Sequence, residues 1–570
     1  MSLELSEVIA SPWSCQSEVG TASVNAIKML YGGKENDTLT RLRYLSFLEK
    51  YGMPCLSTCG DCRGVECNNI DIDYLNLVQQ KPVIINGIEL EHVPEYIYLA
   101  QRFSLNEKNQ DNEIRRRIKV ESIRCFSVTA TNEAGSKKTL NRPNTKNIVL
   151  VDGVRTPFLQ SGTDFANLMP HDLQRNALLS LMRKTKISHD AVDYIIIGTV
   201  IMEVKTSNVA REAAMGAGFS LKTPAHTVTQ ACISSNQAIT SGIGLIASGS
   251  ADVVIAGGVE SMSDVPIRFS KKMRKLMLSS TKAKTLGAKL SLLAKFRPSM
   301  LAPDLPAVAE FSTGETMGHS GDRLATAFGV TRQEQDSFAL RSHTLADKAA
   351  KEGLLSDICP VFVPNGKQPV TKDNGVRVSS MEKLGSLKPA FIKPHGTVTA
   401  ANSSFLTDGA SACLLMTEEK ALAMGFKPKA YIRDFVYVSQ DPKDQLLLGP
   451  TYATPKVLEK AGLSMKDIDV FEFHEAFAGQ ILANLKAMDS DYFAKTQMGR
   501  TSKVGVPPME KFNMWGGSLS LGHPFGATGV RLVTTAANRL AKEDGQFALV
   551  AACAAGGLGH ACIVERYPSS

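Results

Sequence analysis

Apolar and polar positions change their rhythm once along this chain. From residue 147 onward, unbroken apolar runs such as 148–151, 252–256 and 547–551 alternate with stretches of helical period. Runs of that kind predict strands buried on both faces, and their alternation with helices predicts an α/β arrangement of parallel sheets covered by helices. Before residue 125 the periodicity is short and broken. The tract 131–147, rich in Thr, Asn, Lys, Gly and Ser, reads as a linker.

The α/β part carries an internal repeat. Residues 179–198 predict a helix, a turn capped by Ser188, and a strand that follows Asp193. Residues 457–474 repeat this order with Ser464 and Asp469 at the same interval. A second correspondence follows in each half. Cys232 leads a small-residue helix ending near Ser248 and then the strand 252–256, while His523 leads a helix through Leu540 and then the strand 547–551. Two pairs in one order imply a duplicated α/β domain. Residues 264–390 interrupt the rhythm and are expected to form an inserted loop domain, because a structureless loop of that length is rare.

At 570 residues the chain exceeds one compact core, and its 43% hydrophobic and 21% charged residues are ordinary for a globular enzyme. No run of eighteen apolar residues offers a membrane-spanning helix. The net charge of +8 is local: residues 268–297 hold ten Lys/Arg and no Asp/Glu, so nucleic-acid binding is not expected of the whole. Beyond residue 125 the cysteines are sparse and set in apolar sequence, as in reduced intracellular proteins.

Three side chains on glycine-rich or small-residue turns carry the candidate chemistry: Cys232 in 229–236, His523 in 516–529, and Cys553 in 553–560. Cys232 opens a predicted helix, where the macrodipole and free N–H groups are expected to lower a thiol's pKa. Taken alone, Cys232 reads either as a nucleophile or as a packed structural cysteine, and His523 either as a base or as a capping histidine. Cys562, in the following apolar strand, is expected only to pack. No His/Cys/carboxylate group in this region has metal-ligand spacing.

These motifs, with 257–263, 396–404 and 474–477 in the same order, resemble those of the thiolase superfamily over about residues 145–567. His474, where most thiolases have Asn, and the basic insertion are similar to the trifunctional-type long-chain 3-ketoacyl-CoA thiolases of β-oxidation. The resemblance implies a thiolase fold, with two duplicated βαβαβαββ core domains in five α-β-α-β-α layers and an inserted loop domain. The implied parts are 1–125, an unrelated and poorly ordered extension; 126–145, a linker; 146–263 with 391–425, the N-terminal core; 264–390, the loop domain; and 426–570, the C-terminal core.

The implied reaction is cleavage of a 3-ketoacyl-CoA by CoA through an acyl-cysteine. Cys232 is the implied nucleophile, His523 its base, and Cys553 the acid and base for the leaving and incoming groups. His474 would serve an oxyanion directly or through water. Backbone N–H groups of Cys232 and Ala555 would form a second oxyanion hole, and Met317 and Ser404 would line the pantetheine path. CoA is a substrate, and neither metal nor further cofactor is implied. A homodimer, a hydratase/dehydrogenase α subunit and a mitochondrial inner-membrane location follow from the same likeness. An alternative reading is a catalytically compromised, chimeric thiolase-fold scaffold that binds membrane or a partner subunit.

The segment 268–297 interleaves Lys/Arg with Leu, Met and Phe at near-helical spacing. It reads as a peripheral membrane contact or as a basic face over a packed stripe. The first 125 residues contain Cys55, Cys59, Cys62 and Cys67, too loosely spaced for a zinc site without a flanking fold signal. Residues 84–118 resemble a fragment of non-LTR retroelement reverse transcriptases, and 21–50 a transposable-element remnant, without a polymerase carboxylate motif. Residues 1–20 lack Lys and Arg, whereas Arg115, Arg116, Arg117, Lys119 and Arg124 precede a Cys-Phe-Ser like the end of a presequence. A presequence held inside the chain argues against import.

Overall fold

The computed structural model describes Leu140 and residues 145–568, apart from 306–308 and 365, and three short strands nearer the N-terminus. Those strands, Val83–Ile85, Ile88–Leu90 and Ser104–Leu105, form a small antiparallel sheet. The expectations for Cys55 to Cys67, for the presequence-like segment and for the order of the remainder of 1–125 lie outside the described residues. The chain divides into two compact units, Met1–Ser136 and Lys137–Ser570.

Within the second unit the principal strands are β1 (Ile148–Arg155), β2 (Tyr194–Gly198), β3 (Ala225–Val228), β4 (Val253–Glu260), β5 (Thr407–Thr417), β6 (Ala430–Ser439), β7 (Val470–Phe473), β8 (Phe547–Ala554) and β9 (Leu558–Arg566). The longer helices are α1 (Pro170–Thr185), α2 (Val209–Gly216), α3 (Ser234–Ala247), α4 (Lys271–Lys282), α5 (Leu286–Ala294), α6 (Met317–Ala327), α7 (Arg332–Lys351), α8 (Gly449–Ala461), α9 (Ala478–Met488) and α10 (Thr528–Lys542).

The strands lie in the order β7-β8-β9-β6-β1-β5-β4-β2-β3. The expectation of parallel sheets is corrected here. Only β4-β2-β3 and β7-β8 pair in parallel, while β1, β5 and β4 in one half and β6, β9 and β8 in the other pair antiparallel. Both kinds are covered by helices, so both give the same unbroken apolar runs. The halves meet at a seam of two residue pairs, Ala430 with Leu150 and Tyr431 with Val149.

Helices α1 and α2 pack one outer face around Leu173, Leu181 and Ala213. On the opposite outside, α8 and α9 pack with Val457 and Ile481 against Phe471 and Leu549. Between the halves lie α3 and α10, in the cluster that joins Ile239, Val254, Val533 and Val550. The result is five layers, α-β-α-β-α. Every residue from Thr528 to Leu540 is buried, because α10 lies between strands of both halves with α3 beside it. That accounts for the Ala, Thr, Gly and Ser content of the two central helices, since small side chains let helix axes approach closely.

The repeat seen in sequence has a structural counterpart. The Asp193 carboxylate accepts the N–H groups of Asp252 and Val253 at 2.8 and 2.9 Å, where β4 begins. Asp469 accepts those of Gln546 and Phe547 at 2.7 and 3.3 Å, where β8 begins. Each aspartate thus closes the start of the parallel strand beside its own, satisfying N–H groups that would otherwise be buried unpaired.

Candidate active site

The polypeptide reaches Cys232 through Ala231, whose φ of 46° lies in the left-handed region. A non-glycine residue held there stores backbone strain and lifts the next side chain out of the helix that follows. Cys232 is half-buried just ahead of α3. Burial pushes its thiol up to about 12; the N–H of Ala555 opposes this, Glu260 adds to it, and the N–H of Cys232 itself also opposes it. The expected lowering by a helix start is therefore corrected. The helix end is enclosed, so desolvation of a thiolate outweighs the N–H groups aimed at it. The resting group is a thiol that needs a base.

That base lies close by. Cys232 Sγ and one ring nitrogen each of His474 and His523 all lie within 4.8 Å of one another. The two imidazoles are tilted against each other, with centroids 4.0 Å apart and planes at 43°. His523 follows the turn after the short helix Ser518–Leu521, and its backbone N–H is held by Thr407 Oγ1 at 2.9 Å. Thr528 Oγ1 lies 2.7 Å from His523 Nδ1 and donates its own proton to the Pro524 carbonyl at 3.1 Å. It must then accept Nδ1–H, which leaves Nε2 as a bare lone pair. Neither Nε2 of the pair has a hydrogen-bond partner.

Burial lowers both imidazoles. His474 falls to about 3 through desolvation and then Arg531, and His523 falls well below its ordinary value through desolvation, His474 and Arg531. In stability terms, a histidine whose pKa drops on folding stabilises the fold above its unfolded pKa, and that stability is lost as pH falls. Between pH 7 and 5 each such histidine should cost about 2 kcal/mol, set mainly by the unfolded pKa near 6.5. Glu260, pushed up to about 7 by burial, acts with the opposite sign and costs stability as pH rises from its unfolded value toward 7. A thermal-unfolding series from pH 7.5 to 5 should show a falling apparent Tm, with a shallower fall in His474→Asn. Equal slopes would contradict the assignment.

Cys553 is buried at the end of β8, and burial followed by the neighbouring Cys232 drives its thiol far above its ordinary range. The β8–β9 turn that carries Ala555 has two left-handed glycines, Gly556 at φ 88° and Gly557 at φ 68°. Glu310 accepts the Gly556 N–H at 2.7 Å and so anchors this turn to the inserted segment. Met317 begins α6 and packs on the cluster that contains Phe477 and Cys553. Ser404 donates its N–H to the Ala476 carbonyl at 3.0 Å, which puts the 403–404 loop against the loop bearing His474. Cys562 is buried in the central apolar cluster, as expected.

The structure adds residues that sequence reasoning left without a role. Glu260 accepts N–H groups from Val200, Ile201 and Gly526, the last at 3.0 Å, so a carboxyl from the first half holds the loop bearing His523 in the second. Asn513 bonds both the N–H and the carbonyl of Phe473 and donates to Glu475 Oε1 at 2.7 Å, fixing the approach to His474. Arg531, fully buried, donates to Ser518 Oγ at 2.8 Å and lies 3.6 Å from Glu472. These partners are far apart in sequence, and no local spacing announces them.

Cys232, His474 and His523 could also ligate a soft divalent cation; their separation in sequence hid that set from a spacing search. The positive charge of buried Arg531 beside them disfavours a cation and favours a developing oxyanion. A thiol with N–H groups at its sulfur, a bare imidazole nitrogen and a second thiol, on a duplicated five-layer α/β fold, define an acyl-transfer site of the thiolase class.

Comparison with known proteins agrees. The thiolase N-terminal domain family matches residues 148–419 and the thiolase C-terminal domain family residues 426–566. The chain is 74% identical over 433 residues to the Homo sapiens mitochondrial trifunctional enzyme subunit beta, covering 76% of this chain and 91% of that protein. It is 63% identical over 441 residues to a Caenorhabditis elegans probable 3-ketoacyl-CoA thiolase, covering 77% and 98%. Among solved structures, the human mitochondrial 3-ketoacyl-CoA thiolase in complex with CoA matches with a TM-score of 0.63 at 29% identity, covering 74% of this chain and 98% of that one. The chain belongs to the thiolase family.

Proposed function

We propose that this chain is the 3-ketoacyl-CoA thiolase of a mitochondrial trifunctional-type β-oxidation enzyme, an acyltransferase acting on long-chain substrates. The observation that carries the reading is the convergence of Cys232 Sγ with two ring nitrogens, both Nε2 unpartnered, and with the N–H of Ala555.

Cys232 Sγ attacks the C3 keto carbon, and its proton passes to His523 Nε2. The developing O3 oxyanion is met by N–H donors, among them those of Cys232 and Ala555. As the C2–C3 bond breaks, its electron pair moves to C2, and Cys553 protonates that carbon to release acetyl-CoA. The Cys553 thiolate then takes the proton of incoming CoA, whose sulfur attacks the acyl-Cys232 thioester. The shortened acyl-CoA leaves, and His523 returns the proton to Cys232. Because both thiols are raised and both imidazoles lowered, no ion pair is stored at rest. Proton transfer accompanies bond formation instead.

CoA would run past Met317 and Ser404. A homodimer core and a hydratase/dehydrogenase α subunit are the partners this reading implies. Measuring CoA-dependent cleavage against acyl length tests it: activity should rise toward long chains, and no cleavage at any length would overturn it.

The basic insertion supports a membrane-facing role. No residue of α4 or α5 is buried, and Leu278, Leu286, Leu290 and Leu293 stand exposed among the cations. Among the described residues, the packed-stripe alternative therefore has no core to pack on. No helix among the described residues is long and apolar enough to cross a bilayer. Peripheral binding to anionic lipid fits both observations. Sedimentation with cardiolipin-containing vesicles should fall severalfold when the lysines and arginines of 271–297 are neutralised; equal sedimentation would sink this part of the proposal.

A further inference from the structure

The two adjacent histidines do different jobs only if they hold their protons on different atoms. We infer that Ser518, oriented by Arg531, is a positioning residue that fixes His474 in the tautomer with its proton on Nε2, making His474 a hydrogen-bond donor beside His523, an acceptor.

The argument is one of donors and acceptors. Ser518 Oγ has two polar neighbours, Arg531 Nη2 at 2.8 Å and His474 Nδ1 at 3.0 Å. A guanidinium only donates, so the arginine takes a lone pair of the serine oxygen. The serine proton then has one acceptor within reach, His474 Nδ1. The reverse assignment, with Nδ1–H donated to Ser518, would leave the buried hydroxyl proton unpaired, a cost that folded proteins avoid. Ser518, Arg531 and His474 are all buried, so solvent offers no alternative partner. With Nδ1 accepting, a neutral imidazole carries its proton on Nε2. That atom is buried, without a partner, and belongs to the ring whose centroid lies 4.0 Å from that of His523.

Thr528 imposes the opposite state on His523, since its own proton goes to the Pro524 carbonyl. Two hydroxyls with different obligations thus set two adjacent imidazoles in opposite tautomers. Arg531 Nη1 lies 3.6 Å from Glu472, whose hydrogen-bonded partner is Arg539 at 2.8 Å. The hydrogen bond to Ser518 satisfies one of the buried donors of Arg531, which favours this contact over turning away. On the thiolytic reading, His474 Nε2–H is a ready donor to a substrate oxygen, a task an asparagine amide would do without needing Ser518.

Two measurements test this, and only the second depends on the reaction assigned. In histidine-¹⁵N-labelled full-length protein, a long-range ¹⁵N–¹H correlation should show His474 protonated at Nε2. Ser518→Ala should give mixed tautomers, and an Nδ1–H signal in the wild type would overturn the inference. In kinetics, Ser518→Ala should lower kcat/KM by about tenfold, less than outright loss of an oxyanion donor. It should also lower the apparent Tm in either background, because the buried Arg531 donor loses its acceptor. In a His474→Asn background the same change should cost less than about twofold. Equal losses in both backgrounds would mean a merely structural serine and overturn the role. Should Ser518→Ala fail to fold, Ser518→Cys takes its place in the same cycle, with the same expected asymmetry.

Discussion

Cys232→Ala should abolish thiolysis while leaving the fold intact. The side chain is half-buried at a strained turn, so truncation removes little packing, although the Ala555 N–H loses the sulfur it points at. What is lost is the sulfur that accepts the acyl group, and a loss of about 10⁴-fold or more in kcat is expected. Incubation with a long-chain acyl-CoA in the absence of CoA should add one acyl group to the wild-type chain by intact mass and none to Cys232→Ala. Cys553→Ala should still be acylated, because Cys553 enters only as proton donor and acceptor. A fully active Cys232→Ala enzyme, or an acyl group found on Cys553, would refute the assignment.

The second large effect is expected at a residue without a side chain. Any Cβ on Gly258 would overlap the carbonyl oxygen of Gly526 and come within 2.9 Å of Ser235 Cβ. Gly526 follows His523 by three residues, and its N–H is tied to Glu260 at 3.0 Å. Backbone cannot give way as a flexible side chain can. Gly258→Ala should therefore cost about 3 kcal/mol, lower the apparent Tm by about 5 °C or more, and move His523 relative to Cys232. Gly287→Ala, in the exposed helix α5 with nothing within 4 Å of a new Cβ, is the control and should be neutral or slightly stabilising. Equal stability and activity for the two variants would show that the close approach does not hold the halves.

Much of this site was legible before any coordinates. The Ser-to-Asp interval marked the duplication because each aspartate must sit a fixed distance ahead of its strand to reach the neighbouring one. Cys232, His523 and Cys553 were legible because reactive side chains on small-residue turns leave a local signature, and His474 because it breaks the pattern the other motifs resemble. Strand direction was not legible. β5 and β1 are buried on both faces and read like parallel strands although they run antiparallel. The state of the Cys232 thiol was misjudged for a related reason. Helix position is written in sequence, whereas enclosure by another half of the molecule is not. Glu260, Ser518, Arg531 and Asn513 were missed because each acts on a partner that its neighbours in sequence do not reveal.

The two-pair seam between β1 and β6 bears on how the enzyme would fail. Cys232 belongs to one half, whereas His474, His523 and Cys553 belong to the other, and the sheet contributes little to their alignment. Alignment rests instead on α10 packed against α3 and the first half's strands β1, β4 and β5, and on the Glu260 and Thr407 contacts to the loop bearing His523. Each half keeps its own apolar core around α1 or α8. Mild heat or denaturant can therefore let the halves slip while both cores survive, silencing the enzyme before its circular dichroism changes. Catalysis would then be a finer gauge of how the two copies register than any measure of helix or strand content.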